Sequence, residues 1–354
     1  MAKNTQMELI NPEAESQVTA LQDRYDIIYY VRARYCNPNG DPDMDNQPRQ
    51  DPNSGHGLMS PQSLKRRIRD QVERFVVGIQ FKKLSFNEEL GDDLANALSP
   101  DLDDDSRGYN VYCQTSSNLK LREQYAVALH AQAGGDIKKT PRDELLRKYF
   151  YDVRAFGAVI TKSGKGAEED ESGGQLIGPV QVGFGLSLKP VDVIKITCTG
   201  PSRDDPGIKN LEQMLDPDQI RSEERKLAET NSSKIRTMGR GYVVNDAIYR
   251  FQISVSPFQA ANTGFNGTDL ALLLVALKRW PDWHKTSSKT GMEHIAALVF
   301  KHNSRYGNMP IWEIQEKLDK ALGEMGIAID QVEPKALVEK LEEKLGSSIE
   351  VFVI

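Results

Sequence analysis

The residues able to do chemistry crowd between Asn37 and Gly57, in NPNGDPDMDNQPRQDPNSGHG. Asp41, Asp43 and Asp45 alternate there as in the opening of a calcium loop, and carboxylates are the hard oxygen donors that Ca²⁺ and Mg²⁺ take. Such a loop needs glycine at its sixth place and glutamate at its twelfth. Asn46 and Pro52 stand in those places, which excludes calcium of that type. Magnesium on two of these carboxylates stays open, because Mg²⁺ needs few protein ligands. The favoured reading makes the aspartates turn residues whose side chains accept hydrogen bonds from backbone N–H groups.

Other catalytic patterns fail on spacing. GFGLSL from Gly183 lacks the last glycine of a dinucleotide fingerprint, and SGKG near Lys165 lacks the upstream glycine of a phosphate loop. HExxH and GxSxG do not occur. His294 and His302 share a parity along one stretch, which core or surface histidines explain. Cys36, Cys113 and Cys198 are far apart, odd in number and outside any CxxC or Cys/His cluster. That argues against zinc and a disulfide framework and for a reducing compartment. No cofactor or metal site is assigned, and the chain reads as a non-enzyme.

Cations offer a different chemistry. Lys65, Arg66, Arg67 and Arg69 lie within five residues, just beyond the loop. At the start of a helix they suit phosphate, which free helix N–H groups already attract. The competing reading is a solvated face with ion pairs such as Arg66 with Asp70. A second group, Lys234, Arg236 and Arg240, surrounds Met238 in KIRTMGR. Cations around one exposed apolar side chain suit a nucleic-acid contact in which that side chain wedges between bases; the alternative is a plain turn between strands.

Elements must hold these groups in place. YDIIYYVRARY (25–35) is rich in β-branched and aromatic residues and predicts a strand. Ser60 and Pro61 predict an N-cap and first turn, and Leu64, Ile68, Val72, Phe75 and Val76 recur at helical spacing. Strands are predicted at YDVRAFGAVI (151–160), GPVQVGFGLSL (178–188), AIYRFQISVSPF, HIAALVFKH and SIEVFVI, and helices at REQYAVALHAQ, TDLALLLVALKRW, IWEIQEKLDKAL and PKALVEKLEEKL. Residues 1–24 read as a mobile arm, about 80–150 as an insertion with acidic clusters, and 161–174 as a flexible loop. The order is that of an α+β, split βαβ (ferredoxin-like) sheet with insertions in its loops.

With 354 residues, 39% apolar and 27% charged, the chain can bury a core; a net charge of −6 excludes a uniformly basic polyanion binder but not a local basic groove. A secretory leader and a bilayer-length apolar run are absent from the sequence, so a soluble cytoplasmic protein without membrane partners is expected.

Seven segments in order, NPNGDPD, QPRQDPNSGHGLMS, LKRRIR, YDVRAFGAVI, GPVQVGFGLSL, RTMGRGYVV and ISVSPFQAANTGF, resemble the crRNA-binding backbone subunit of type I CRISPR Cascade complexes, most like its I-C and I-B branch. The resemblance covers Tyr25 to about Lys301. It implies an RRM-like palm with a finger-like insertion at about 80–150 and a thumb hairpin at about 195–245. Copies would stack along one CRISPR guide RNA beside other Cascade subunits, and base pairing with the guide would read target DNA. Carried over by position, Lys65, Arg66 and Arg69 would contact phosphates; Asn37, Asn39, Gly40 and Asp41 would shape the RNA-facing surface with Arg49. Arg236 and Arg240 would flank Met238 as the base wedge, and Gln114 would lie in the finger. The chain departs from shorter members in its arm before Tyr25, its acidic segment at 86–107 and its longer lead at 201–233. A rival from another class is a metal-dependent ribonuclease using Asp41 or Asp43 with Mg²⁺. A third is a monomeric RNA-binding protein.

Overall fold

The computed structural model describes residues 20–78, 84–101, 107–115, 117–160, 174–202, 216–230, 236–283 and 285–354. Along the chain, β1 (Tyr25–Cys36) runs into a loop holding the short strands β2 (Gly40–Asp41) and β3 (Gln47–Pro48), and then β4 (His56–Met59) leads to α1 (Pro61–Gly78). Helices α2 (Phe86–Leu90), α3 (Asp92–Leu98), α4 (Leu119–Gln132), α5 (Arg142–Tyr149) and α6 (Tyr151–Phe156) follow, then the hairpin β5 (Gly157–Ile160) and β6 (Gly174–Ile177). Next come β7 (Val180–Val182), β8 (Gly185–Pro190), β9 (Val193–Pro201), α7 (Pro217–Thr230) and β10 (Arg236–Val255). The chain closes with α8 (Pro257–Thr263), α9 (Gly267–Trp283), β11 (Met292–His302), α10 (Ile311–Met325), α11 (Pro334–Leu345) and β12 (Ile349–Val353).

The fold is mixed α+β around an antiparallel sheet. Its strands run β12-β11-β1-β10-β8-β4, with β7 and β9 also paired to β10. β1 is central and covered on both faces. Ile27, Tyr29 and Val31 share the cluster of α1 and α9, while Ile28 and Tyr30 share that of α10 and α11. A strand buried on both sides has no reason to alternate apolar with polar, which is why its sequence is a nearly unbroken apolar run. α1 sends Leu64, Ile68, Val72 and Phe75 inward along one stripe. α9 is buried on every side from Thr268 to Leu277. Its Trp280 donates Nε1–H to the Tyr29 hydroxyl at 2.8 Å, and that hydroxyl donates to the Leu277 carbonyl at 3.0 Å. No helix among the described residues is long and apolar enough to cross a membrane.

The structure revises four expectations. Tyr151–Phe156, expected as strand, is helix α6, and all six residues are buried. Total burial removes the apolar–polar period that separates helix from strand. The expected strand 178–188 is interrupted between β7 and β8, where Gly183 N–H donates to Gln252 O at 2.8 Å, although both halves pair with β10. The arm expected at 1–24 is anchored at its end: Leu21 is buried in the core and donates its N–H to Phe265 O at 2.9 Å, while 1–19 lie outside the described residues. The acidic start of the expected insertion belongs to the main core through Phe86, Leu90, Leu94 and Leu98, whereas Tyr112, Ala126, Leu145, Leu146 and Tyr149 form a separate cluster. Most of the predicted 161–174 loop lies outside the described residues.

A buried ion pair fastens α6 to α9. The Arg154 guanidinium meets Asp269 at 2.8 Å, and both side chains are almost fully buried. Arg154 also donates to the Gly108 and Arg147 carbonyls, while Asp269 accepts from Arg107 and Asn266 N. Removing one member strands the other's charge and several backbone acceptors. Arg154→Met is therefore expected to lower stability by about 3–5 kcal/mol. Urea unfolding followed by fluorescence measures this, and a loss below about 1 kcal/mol would mean that the pair is not holding α6.

Candidate nucleic-acid interface

The loop after β1 is built by hydrogen bonds among its own side chains and backbone. Asn37 is buried; its Nδ2 donates to Asn46 O at 2.7 Å and its backbone N–H to Ser288 O at 2.8 Å. Asn39 Oδ1 accepts the Ser60 N–H at 2.7 Å, joining the loop to the cap of α1, where Ser60 Oγ accepts from Ser63 N. Gly40 pairs with Pro48 across the β2–β3 ladder. Asp41 Oδ1 accepts from Asp43 N at 3.2 Å, and its Oδ2 meets Arg49 Nη1 at 3.2 Å. Asp51 likewise accepts from Asn53 N. These are the turn roles favoured from sequence. With one oxygen on a backbone N–H and the other on a guanidinium, Asp41 is engaged as a turn former, and no group of three or more metal-ligating side chains occurs among the described residues. Gly57 passes so close to Tyr249 that a Cβ there would overlap its hydroxyl, so only glycine fits.

The cations of the basic helix differ in what they meet, and the ion pair of the solvated-face reading is among them. Arg66 pairs with Asp70 and donates to Cys113 O at 2.7 Å. Arg69 Nε meets Asp152 Oδ2 at 2.8 Å. Asp152 is buried and also accepts the backbone N–H groups of Tyr112 and Cys113, so one carboxylate ties α1, α6 and the 112–114 turn together. Gln114 Nε2 donates to Glu73 on the same helix. Lys65 has no acid partner among the described residues; its ammonium lies 5.1 Å from the Phe156 ring centroid. Burial and, after it, the neighbouring Arg69 charge push the Lys65 amine below its ordinary value. Arg67, expected on an exposed face, is buried with its guanidinium over the Trp280 ring.

The ribbon of β9 and β10 brings the third group. Arg236, Met238 and Arg240 pair with Pro201, Thr199 and Thr197. Met238 is 77% exposed and Arg240 is exposed without an ion pair among the described residues. The Arg236 side chain and Lys234 lie outside the described residues. Strand alternation puts Met238, Arg240 and Tyr242 on one face. Tyr242 donates its hydroxyl to Asp45 Oδ2 at 3.3 Å. The wedge candidate's face is thus joined at its base to the loop.

The loop is joined to the start of α1 through Asn39 and to the ribbon through Tyr242, while the 112–114 turn is tied to α1 further along, at Arg66 and Glu73. Sequence spacing pointed to the loop and to Met238 with its flanking cations. It missed Asp152, Tyr242 and Lys289, whose Nζ donates to the Asn37 and Pro38 carbonyls at 2.7 and 3.2 Å. Asp152 left one signal, a charged residue inside an apolar run; Lys289 left none.

An antiparallel α+β body that gathers a hydrogen-bonded loop, a cationic helix and a projecting ribbon at one sheet end defines the class of molecule. The chain belongs to the family of CRISPR-associated protein Cas7, whose model matches residues 23–330 and so contains every site residue named above. A CRISPR-associated protein Cas7 from Haloferax volcanii is 41% identical over 61 residues, which are 17% of this chain and 18% of that protein. The match therefore spans less than a fifth of that relative's length. Among solved structures, a chain of a "CRISPR RNA-guided surveillance complex, pre-nicking" aligns with TM-score 0.42 and 14% identity, over 92% of this chain and 90% of its own. A chain of a "CRISPR RNA-guided surveillance complex" aligns with TM-score 0.44 and 13% identity, over 93% and 88%.

The bond from Asn39 to Ser60 N–H sets the angle between loop and helix. Asn39→Ala leaves that amide without its partner, and a loss of about 1–3 kcal/mol is expected. Hydrogen exchange at the Ser60 amide should accelerate selectively. Unchanged protection there would show that the loop and the helix cap are not coupled.

Proposed function

We propose that this protein is a non-catalytic backbone subunit that oligomerises along a CRISPR guide RNA and holds it for pairing with target DNA. Family membership supports the reading, and the observation that carries it is the convergence of loop and ribbon through Tyr242 and Asp45. The central order β11-β1-β10-β8, crossed by α1 and α9 on one face, is that of a split βαβ and serves as an RRM-like palm. The β9–β10 ribbon acts as the thumb within about 195–245. Residues from about 108 to 150, with their own small core, act as the finger.

In this reading the protein needs phosphate and shape contacts only, because the guide reads sequence. Lys65 and Arg240, which no carboxylate neutralises among the described residues, contact phosphates. Arg66 and Arg69 brace the 112–114 turn, and Arg49 braces Asp41. Asn37, Asn39 and Gly40 shape the surface, and Met238 displaces a base. Partners are the guide RNA, target DNA through it, further copies of the chain and other Cascade subunits of the I-B or I-C branch, in the cytoplasm.

Purifying the protein with its bound nucleic acid and sequencing that material tests the reading. A single repeat–spacer class of small RNA, and assemblies that grow with RNA length, are expected; random cellular RNA and one copy at every length would overturn it. Mg²⁺-dependent cutting of guide-complementary RNA that vanishes in Asp43→Ala would replace it with the ribonuclease reading. For the contacts themselves, Lys65→Ala with Arg240→Ala should flatten the slope of log affinity against log salt by about 0.7 per phosphate lost. Met238→Ala should leave affinity nearly unchanged while reducing the chemical reactivity of displaced bases in the bound RNA.

A further inference from the structure

The face of the sheet turned toward α10 and α11 is only half covered. Ile28, Ala296 and Ile349, one from each of β1, β11 and β12, lie buried under the two helices. α10 stops over β10, where its Gln315 accepts from Gln252 Nε2 at 2.7 Å and its Asp319 from Arg250 Nη1 at 2.7 Å. Beyond β10 the face is bare. Leu186 stands opposite Arg250 and therefore on this same side, and both Leu186 and Leu188 are exposed. Between α10 and β8 the face deepens into a cavity of about 610 Å³, which Ile248, Leu322 and Ile327 line with Leu188 and Lys189. Arg32 and Arg250 at the same cavity are held by Asp330 and Asp319. Lys189 is exposed and makes no ion pair among the described residues. An apolar half-sheet rimmed by one unbalanced cation is left for a partner to cover.

One element of the same chain lacks what this groove offers. No residue of α7 is buried, and its Ile220 and Leu227 stand seven positions apart on one side. A helix of 14 residues is marginal in water by itself. Its two ion pairs, Arg221 with Asp218 and Lys226 with Glu223, add little to that. Glu224 lies between Ile220 and Leu227 on their side and makes no ion pair among the described residues. The dimensions agree. At 1.5 Å per residue α7 is about 21 Å long, and the six residues of β8 span about 20 Å. From β10 across β8 to β4 is two strand spacings, about 10 Å, which is the width of one helix.

We propose that α7 of one copy docks in this groove on the next copy, with Ile220 and Leu227 on Leu186 and Leu188 and Glu224 against Lys189. The assignment rests on the reading of the chain as a subunit that lines up in many copies on RNA. It names a protein surface that holds successive copies together, apart from the RNA contacts. Groove and helix are different patches of one chain, so the contact is heterologous and propagates from copy to copy instead of closing a pair. One helix face buries less than about 1,000 Å² in all, too little for a stable complex in free solution. RNA that already holds two copies side by side supplies the missing effective concentration. The contact therefore forms on RNA, and copies free of RNA stay apart.

The test uses the full chain with two oligoadenosines, one just long enough for a single copy and one for several, and counts bound copies by mass photometry. Glu224→Lys and Lys189→Glu should each leave single-copy affinity unchanged and weaken multi-copy assembly about tenfold, since like charges then meet across the groove. The double variant, with the charges exchanged, should restore assembly. Both side chains are exposed, so neither change threatens folding. Carbodiimide treatment of wild-type assemblies, made from isotopically labelled and unlabelled chains mixed, should join Lys189 to Glu224 between chains. Normal assembly by both single variants, or a double variant as weak as either, would overturn the docking. A Lys189–Glu224 cross-link found only within one chain would overturn the second copy as occupant. A wild-type protein that takes up no second copy on the longer RNA would instead sink the backbone reading, a result distinct from these because it precedes any substitution.

Discussion

Two antiparallel strands of unequal length decide where the candidate interface of this protein lies. β10 runs for 20 residues and β1 for 12, paired from Tyr25 with Val255 to Cys36 with Val244. The surplus of β10 has no partner in β1, so it leaves the sheet with β9 alone. Because the strands run in opposite senses, that surplus emerges beside the end of β1, where the Asn37 loop begins. Loop and ribbon are neighbours by construction, and the Tyr242–Asp45 bond fixes what the pairing already brings near. A two-stranded ribbon is marginal in isolation, so this tie at its base matters to its direction.

Carboxylates sort the cations around that end into two kinds. Asp152, Asp70 and Asp41 take Arg69, Arg66 and Arg49 and convert them into braces between segments. A guanidinium that closes a turn around a buried carboxylate holds position well but presents little net charge. Lys65, Arg240, Arg67 and Lys289 make no such ion pair among the described residues. Counting basic residues along α1 cannot make this distinction, because the deciding acid can lie far away in sequence. Asp152 is 83 positions from Arg69.

The same separation explains which parts of the molecule were legible in the sequence. α1, α10 and α11 each bury one stripe and expose the rest, so their period survives in the residue pattern. β1 shows itself by β-branched and aromatic content. α6 shows nothing, since burial on every side erases its period, and its Arg154 is balanced by Asp269, 115 positions on. α3 hides Leu94, Ala95 and Leu98 among aspartates that face outward, so an acidic run that reads as surface is core on one side. At the candidate interface, turn chemistry marked the loop after β1 and a cluster of cations marked Met238, while the RNA-facing role of Asn37, Asn39, Gly40 and Asp41 came from the resemblance. Lys289 was invisible because its role is a pair of bonds to backbone carbonyls, which no residue type announces.

In the proposed role, a chain of net charge −6 that binds a polyanion is a contradiction only if charge acts as a sum. At physiological ionic strength a field fades over about 8 Å. A phosphate at the loop therefore senses the cations of that sheet end and little of the acidic surface elsewhere. Those distant acids still matter, since they repel nucleic acid from every surface that lacks unpaired cations. The braces then have a second effect. By pairing with Arg66 and Arg69, Asp70 and Asp152 leave Lys65 and Arg240 as the site cations that no carboxylate neutralises among the described residues. In the proposed role, a few unpaired cations set among neutral braces favour one path for a backbone, which is the property a subunit needs if successive copies are to hold one RNA in register.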